Sequence, residues 1–244
     1  MKNNLNIIII PDVHLKHHLV DEFLKSVTYE KIIFLGDYFD DFGDDPYQNE
    51  TAAKWLKHSV YNPKRVHLIG NHDLPYMFNG KGYCCSGYDN GKNKFINGTI
   101  ERADWKKLKL YHTEKINDQD WVFTHAGLTS QWITKNTDPF KLLKNEQQEF
   151  DYLFDKMLID YNQMFVSCGR LSGGIHKRSG ILWCRLKEFN PIKGINQMFG
   201  HTPTFDYDLT PVELFPGNWA TDTHLNYVMS IDKQGIVTYH NINI

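Results

Sequence analysis

The sequence predicts an α/β fold whose sheet delivers its functional side chains from one edge. Three observations lead there. Apolar, β-branched runs alternate with segments of helical period. The first three runs each end in a short string of Asp, Asn and His, and two later runs each end in a lone histidine. An open α/β sheet assembles a site in this way, from loops beyond the carboxyl ends of its strands.

Residues 5–10 are an unbroken apolar run, the pattern of a strand buried on both faces, with Asp12 and His14 just past its end. Residues 18–27 carry Leu19, Phe23, Leu24 and Val27 at helical spacing, and residues 31–35 form a second strand that stops at Gly36 and Asp37. A helix over 50–60 and a strand over 66–69 follow, the latter delivering Gly70, Asn71, His72 and Asp73. Strands over 121–124 and 196–199 run into His125 and into Gly200-His201. Residues 226–231 and 236–240 read as a hairpin whose turn glycine, Gly235, supplies a positive φ.

Two stretches carry no ligand motif. Residues 149–165 place Phe150, Leu153, Phe154, Met157, Leu158, Tyr161, Met164 and Phe165 at helical spacing, the pattern of a core-facing helix. Residues 74–93 are rich in glycine (Gly80, Gly82, Gly87, Gly91) and aromatics (Tyr76, Phe78, Tyr83, Tyr88) and begin at the Asn71-His72 loop. A loop of that length is either a lid over the substrate, with rings able to stack on a nucleobase, or a segment anchored by its own aromatics.

Composition narrows the function classes. A chain of 244 residues suffices for one large core, so one domain over 1–244 is expected. Hydrophobic and charged fractions of 41% and 23% are those of an ordinary globule. Net charge of −2, a pI near 6.6 and no run of Lys or Arg argue against long nucleic acid as a partner and for a small or singly phosphorylated one. No stretch approaches the roughly 18 apolar residues of a membrane span and no secretory leader is evident, so no membrane association and a cytoplasmic location are expected. Cys84, Cys85, Cys168 and Cys184 contain no Cys-x-x-Cys pair, so reduced thiols are expected.

Taken alone, Asp12-x-His14 or Gly36-Asp37-Tyr38-Phe39-Asp40 is compatible with a solvated strand-end turn. Their order and their placement after successive strands point instead to a site for two cations. Oxygen and imidazole donors with no thiolate suit manganese first, with iron or zinc as alternatives, facing a hard phosphate oxygen.

These strings resemble the calcineurin-like metallophosphoesterase superfamily, in particular its phosphoprotein phosphatase branch. The likeness rests on Asp12-Val-His14, Gly36-Asp37-Tyr38-Phe39-Asp40, Gly70-Asn71-His72-Asp73, Phe123-Thr-His125-Ala-Gly127-Leu128 and Gly200-His201-Thr202. It implies a four-layer αββα sandwich. It further implies one metal held by Asp12, His14 and Asp37, and a second held by Asp37, Asn71, His125 and His201. In that scheme a bridging hydroxide attacks phosphorus, His72 protonates the leaving group and Asp40 orients His72.

Two departures bear on substrate. The first motif of the family continues with glycine, and here Leu15 follows His14. Where the branch carries a phosphate-gripping arginine after the second aspartate, this chain has Asp41 and an acidic run that includes Asp40, Asp44 and Asp45. Asp41 would repel a dianion unless another cation compensates, and the grip must come from elsewhere. Arg185, in a Leu182-Trp183-Cys184-Arg185 segment that resembles bacterial and phage members and bacterial diadenosine tetraphosphatases, is the first candidate, with Arg170 and Arg178 behind it. The expected activity is a phosphomonoesterase of serine/threonine protein phosphatase type, acting on a phosphorylated small molecule, nucleotide or phosphoprotein. The alternative is a dinucleoside polyphosphate hydrolase or nucleotide phosphodiesterase.

Overall fold

The computed structural model describes residues 3–81, 85–158 and 160–242. The chain opens with β1 (Asn3–Ile10), α1 (His17–Ser26), β2 (Val27–Phe34), α2 (Pro46–Ser59) and β3 (Arg65–His67), in which β1 pairs parallel with β2 and β2 with β3. Three helices, α3 (Leu74–Met77), α4 (Asn90–Thr99) and α5 (Arg102–Trp105), lead to the antiparallel pair β4 (Tyr111–Ile116) and β5 (Gln119–Thr124). Next come α6 (Pro139–Lys156), β6 (Ile195–Phe199), β7 (Val212–Phe215), β8 (Asn218–Ala220), β9 (Tyr227–Ile231) and β10 (Val237–Asn241). One sheet has the order β10-β9-β1-β2-β3 and the other β4-β5-β6-β8-β7.

Period-2 alternation divides each strand between two cores. Ile9, Ile33 and Leu35 of the first sheet meet Trp121, Phe123 and Met198 of the second, so the sheets pack face to face. Ile8, Ile10, Ile32 and Phe34 point the other way, into the cluster that holds Val20 of α1 and Ala53 and Leu56 of α2. The expected burial of β1 on both faces is therefore met. On the outer side of the second sheet, Phe199 and Ala220 pack on Cys184 and Phe189. That part of the outer layer is a loop with one short 3₁₀ turn, Leu186–Glu188, in place of an α-helix.

Element ends differ from the periodicity where capping chemistry takes over. Val27, apolar and in phase with α1, is already extended and pairs with Asn3, so the helix stops one residue earlier. Helix α2 starts at Pro46, four residues ahead of its apolar stripe. Asp45 accepts from the amide of Gln48 at 2.8 Å, the Gln48 side chain accepts from the Asp45 amide at 2.9 Å, and proline occupies the first turn. Strand β3 ends at His67, and Leu68 instead bridges Lys109.

The stripe over 149–165 is not one helix. Asp138 caps α6, and Met157 closes it in the left-handed conformation at φ 49°. Leu158 and Tyr161 are exposed, and Met164 and Phe165 return to the core through a 3₁₀ turn. The hairpin of β9 and β10 is present as expected, with Asp232 accepting from the amides of Gln234 and Ile236. No helix among the described residues is long and apolar enough to cross a membrane.

Candidate metal centre

Five strand ends converge. Asp12 and His14 follow β1, Asp37 and Asp40 follow β2, Asn71 and His72 follow β3, and His125 and His201 follow β5 and β6. The amides of Val13 and His14 donate to the Asp37 carbonyl at 3.0 and 2.7 Å, locking the first two loops together. Asp73, buried, accepts from the amides of Gly70, Asp37 and Tyr38 at 2.8, 2.9 and 2.8 Å, which fixes the third loop against the second. The sheets are joined at the site by the His201 amide, which donates to Asp12.

The potential donor atoms form two groups with one common member. In the first, the donor atoms of Asp12, His14 and Asp37 lie within 4.8 Å of one another, an arrangement that could hold a cation. In the second, Asn71 Oδ1 is 2.7 Å from His125 Nε2 and 2.8 Å from His201 Nδ1. Asp37 Oδ2 stands between the groups, 3.7 Å from His14 Nε2 and 3.5 Å from His125 Nε2. The far ring nitrogens are occupied by the fold: His14 Nδ1 faces the carbonyls of Phe39 and Asp40, and His125 Nδ1 that of Leu35. Those contacts aim each Nε2 inward.

Electrostatics favour a cation here. Burial, then Asp222 and Asp37, push the Asp12 carboxyl well above the usual carboxylate range. Burial would likewise raise Asp37, but the imidazoles of His125, His72 and His14 hold it at about 2. Asp222, past the end of β8, is also raised by burial. Burial keeps His125 and His201 below the normal histidine value, in the neutral form that can donate to a metal. His201 Nε2 is buried and has no hydrogen-bond partner among the described residues. Crowded carboxylates, neutral imidazoles and an amide oxygen fit divalent ions better than any arrangement of protons alone.

The backbone is bent to make this possible. His14, Asp37, Asp40 and His201 all have φ between 39° and 68°, a left-handed conformation that costs a non-glycine residue of order 1 kcal/mol or more. Leu15 shares it at φ 64°, so the position where the family carries glycine keeps the shape glycine allows. At Gly70 and Gly200 it is the missing side chain that counts. A Cβ would lie 2.0 Å from Asp37 Oδ1 at the first and 2.0 Å from Asp12 Oδ1 at the second.

Beside the cluster, His72 Nδ1 is 3.1 Å from Asp40 Oδ2, and the ring is packed edge-on to His14. Burial opposes charge on His72, yet Asp37 and the hydrogen bonds to Asp40 and Cys85 raise it well above its ordinary value. The acidic run is not a free negative patch. Asp41 lies 3.6 Å from Lys16, Asp44 is 2.6 Å from Lys92, and Asp45 is the cap of α2. Lys16 is thus the compensating cation that Asp41 requires.

Of the three candidate arginines, Arg185 is half-buried, donates from Nε to Ser172 Oγ at 3.1 Å, and projects its charge onto His201. Arg170 and Arg178 are exposed, and no described contact brings either to the cluster. Within 74–93, Gly82, Tyr83 and Cys84 fall outside the described residues. The remainder is not a free lid: Tyr76 and Phe78 are fully buried, Tyr76 packs on Tyr88, and Cys85 accepts from Asn71 Nδ2 at 3.0 Å. Two of the rings expected to be available to a base are therefore committed to the core. Tyr76, Asp222 and Lys92 are site neighbours to which sequence reasoning gave no role there. Asp222 could have been found as one more strand-end carboxylate, but β8 has only three residues and leaves no periodic signal.

A two-sheet α/β frame that gathers carboxylates, imidazoles and an amide at the strand ends is the architecture of a phosphoester hydrolase. The profile of the calcineurin-like phosphoesterases matches residues 5–214, and the chain belongs to that family. Among solved structures it is similar to a cold-active protein-tyrosine phosphatase of the psychrophile Shewanella sp. (TM-score 0.57, 16% identity, covering 98% of this chain and 82% of that one). A second structure described as cold-active protein tyrosine phosphatase gives 0.56 and 15%, covering 98% and 80%. A Saccharomyces cerevisiae protein serine/threonine phosphatase gives 0.44 and 17%, covering 98% and 83%. No curated protein matches the sequence significantly.

Proposed function

We propose that this phosphoester hydrolase is a phosphomonoesterase of protein-phosphatase type that works with two divalent cations, manganese in the first instance. The observation that carries the reading is the position of Asp37 Oδ2 between the two donor groups. Asp12, His14 and Asp37 would hold one ion, and Asp37, Asn71, His125 and His201 the other. When bound, such a pair supplies a water acidified toward neutral pH and offsets charge on the phosphoryl oxygens.

The chain's own residues account for the rest. His72 is tied by its amide to Asp37 Oδ1 at 2.9 Å, which holds its backbone beside the cluster, while the ring is aimed by Asp40. With Nδ1 turned to Asp40, Nε2 is the atom that hands a proton to the departing ester oxygen as the phosphorus–oxygen bond breaks. The water oxygen ends on phosphorus, and a proton from that water replaces the one given up. Arg185 is the phosphate-gripping residue of this reading, supported by the influence of its charge on His201 and by the hydrogen bond from its Nε to Ser172 Oγ that holds the side chain.

The test is a substrate panel on manganese-reconstituted protein: aryl phosphate, phosphoserine, phosphothreonine and phosphotyrosine peptides, aryl diester and dinucleoside tetraphosphate, each beside His72→Asn. Monoesters are expected to turn over fastest. A preference for the diester or the tetraphosphate would overturn the monoesterase reading.

A further inference from the structure

Three groups outside the family's motifs close around Asp40. Lys92 of α4, buried, places Nζ 3.1 Å from Asp40 Oδ1, 2.6 Å from Asp44 Oδ1 and 2.9 Å from the Gly87 carbonyl. An ammonium has three hydrogens, and here three acceptors take them. Lys92 therefore has nothing left to offer solvent or a substrate, and its charge is directed inward. The Tyr76 hydroxyl donates to the same Asp40 oxygen at 2.6 Å. Asn49 completes the frame: its Oδ1 accepts from the Asp40 amide at 3.3 Å, and its Nδ2 donates to Asp44 at 2.6 Å. Gly87 walls the carboxylate closely, since a Cβ there would stand 3.0 Å from Asp40 Cβ.

We propose that Lys92, together with Tyr76, is a positioning residue for leaving-group protonation. Two donors on Asp40 Oδ1 fix the plane of the carboxylate, which leaves Oδ2 as the oxygen that aims His72. Held by His72 alone, the carboxylate could rotate and the ring with it. Asp44 serves the same purpose by balancing a buried cation that one carboxylate could not satisfy. The inference rests on the acid role proposed for His72 and adds residues that the motifs do not contain.

The experiment compares kcat of the manganese-loaded full chain on two substrates of the same shape, 2,4-dinitrophenyl phosphate and phenyl phosphate. Only the second leaving group needs a proton. Lys92→Met and His72→Asn are expected to lower kcat on phenyl phosphate by about 10-fold to 100-fold, with dinitrophenyl phosphate changed by less than about 3-fold and KM unaltered. In the double variant Lys92→Met/His72→Asn the loss on phenyl phosphate should be no greater than in His72→Asn alone, and Lys92→Arg should recover most of the rate. Equal losses on both substrates, or losses that multiply in the double variant, would overturn the proposal. Should Lys92→Met fail to fold by thermal melting, Tyr76→Phe carries the same comparison with a smaller change. If His72→Asn itself does not distinguish the two leaving groups, the acid role of His72 fails, an outcome separable from failure at Lys92.

Discussion

The backbone amide of His72 donates to Asp37 Oδ1 at 2.9 Å, so the ring beside Asp40 and the carboxylate between the donor groups are set by one loop. That loop reaches Asp37 only because residue 70 is glycine. A Cβ at this position would meet Asp37 Oδ1 at 2.0 Å and the Asp37 amide nitrogen at 2.4 Å. Gly70→Ala should cost about 100-fold or more in kcat and roughly 1–3 kcal/mol of stability, read by steady-state kinetics and urea unfolding. An active, equally stable variant would show that the close approach is dispensable.

Cation binding should stabilise the fold. Asp12, Asp37 and Asp222 are buried carboxylates, and Asp12 is raised first by burial and then by repulsion from Asp222 and Asp37. Manganese at about 100 times its dissociation constant is expected to add about 3 kcal/mol for each ion bound, seen as a rise in Tm that a chelator reverses. Asp222→Asn should raise the Tm of the metal-free protein by relieving that repulsion. An unchanged Tm on manganese addition would argue against the cluster as a cation site.

His67 gives a pH dependence independent of the metal cluster. Burial, then the Arg65 charge, push it down to about 3 from an ordinary 6.5, and it sits between Ser59 Oγ at 2.9 Å and the Tyr38 hydroxyl at 3.0 Å. A histidine depressed on folding takes up its proton on unfolding, so its contribution is complete above pH 6.5 and is lost as pH falls from there toward 3. Between pH 7 and 5 the wild-type chain should lose about 2 kcal/mol more than His67→Gln in denaturant titrations. Parallel pH profiles for the two proteins would refute the assignment.

Arg185 and the exposed arginines should behave differently. Arg185→Ala is expected to raise KM for an aryl phosphate by about tenfold, consistent with losing one charge-assisted hydrogen bond. Arg170→Ala and Arg178→Ala should change KM by less than about twofold. A reversed ranking would move the phosphate grip to the 170–178 loop.

The strands and the motif histidines were legible because each follows an apolar run, and a period of two with a polar stop is a local signal. Helix ends were less so. Asp45 starts α2 through a hydrogen bond to Gln48, and Met157 ends α6 by a turn of the backbone, neither of which changes the apolar pattern. The acidic run reads as uncompensated in the sequence because its partners are remote: Lys92 lies 52 residues from Asp40. Spacing encodes neighbours on one element, whereas Lys92, Tyr76 and Asp222 reach the site only through the packing of others. The 74–93 segment leaves both readings open in the sequence, because its glycines and rings signal a loop equally well when they are packed against a wall.

The most direct measurement is manganese stoichiometry by isothermal titration on the wild-type chain and on Asp37→Asn. Two ions per chain are expected for the wild type, and one or none for the variant, since the lost carboxylate serves both positions. A single ion in the wild type, or two undiminished in Asp37→Asn, would contradict the shared-carboxylate centre on which the proposed chemistry stands.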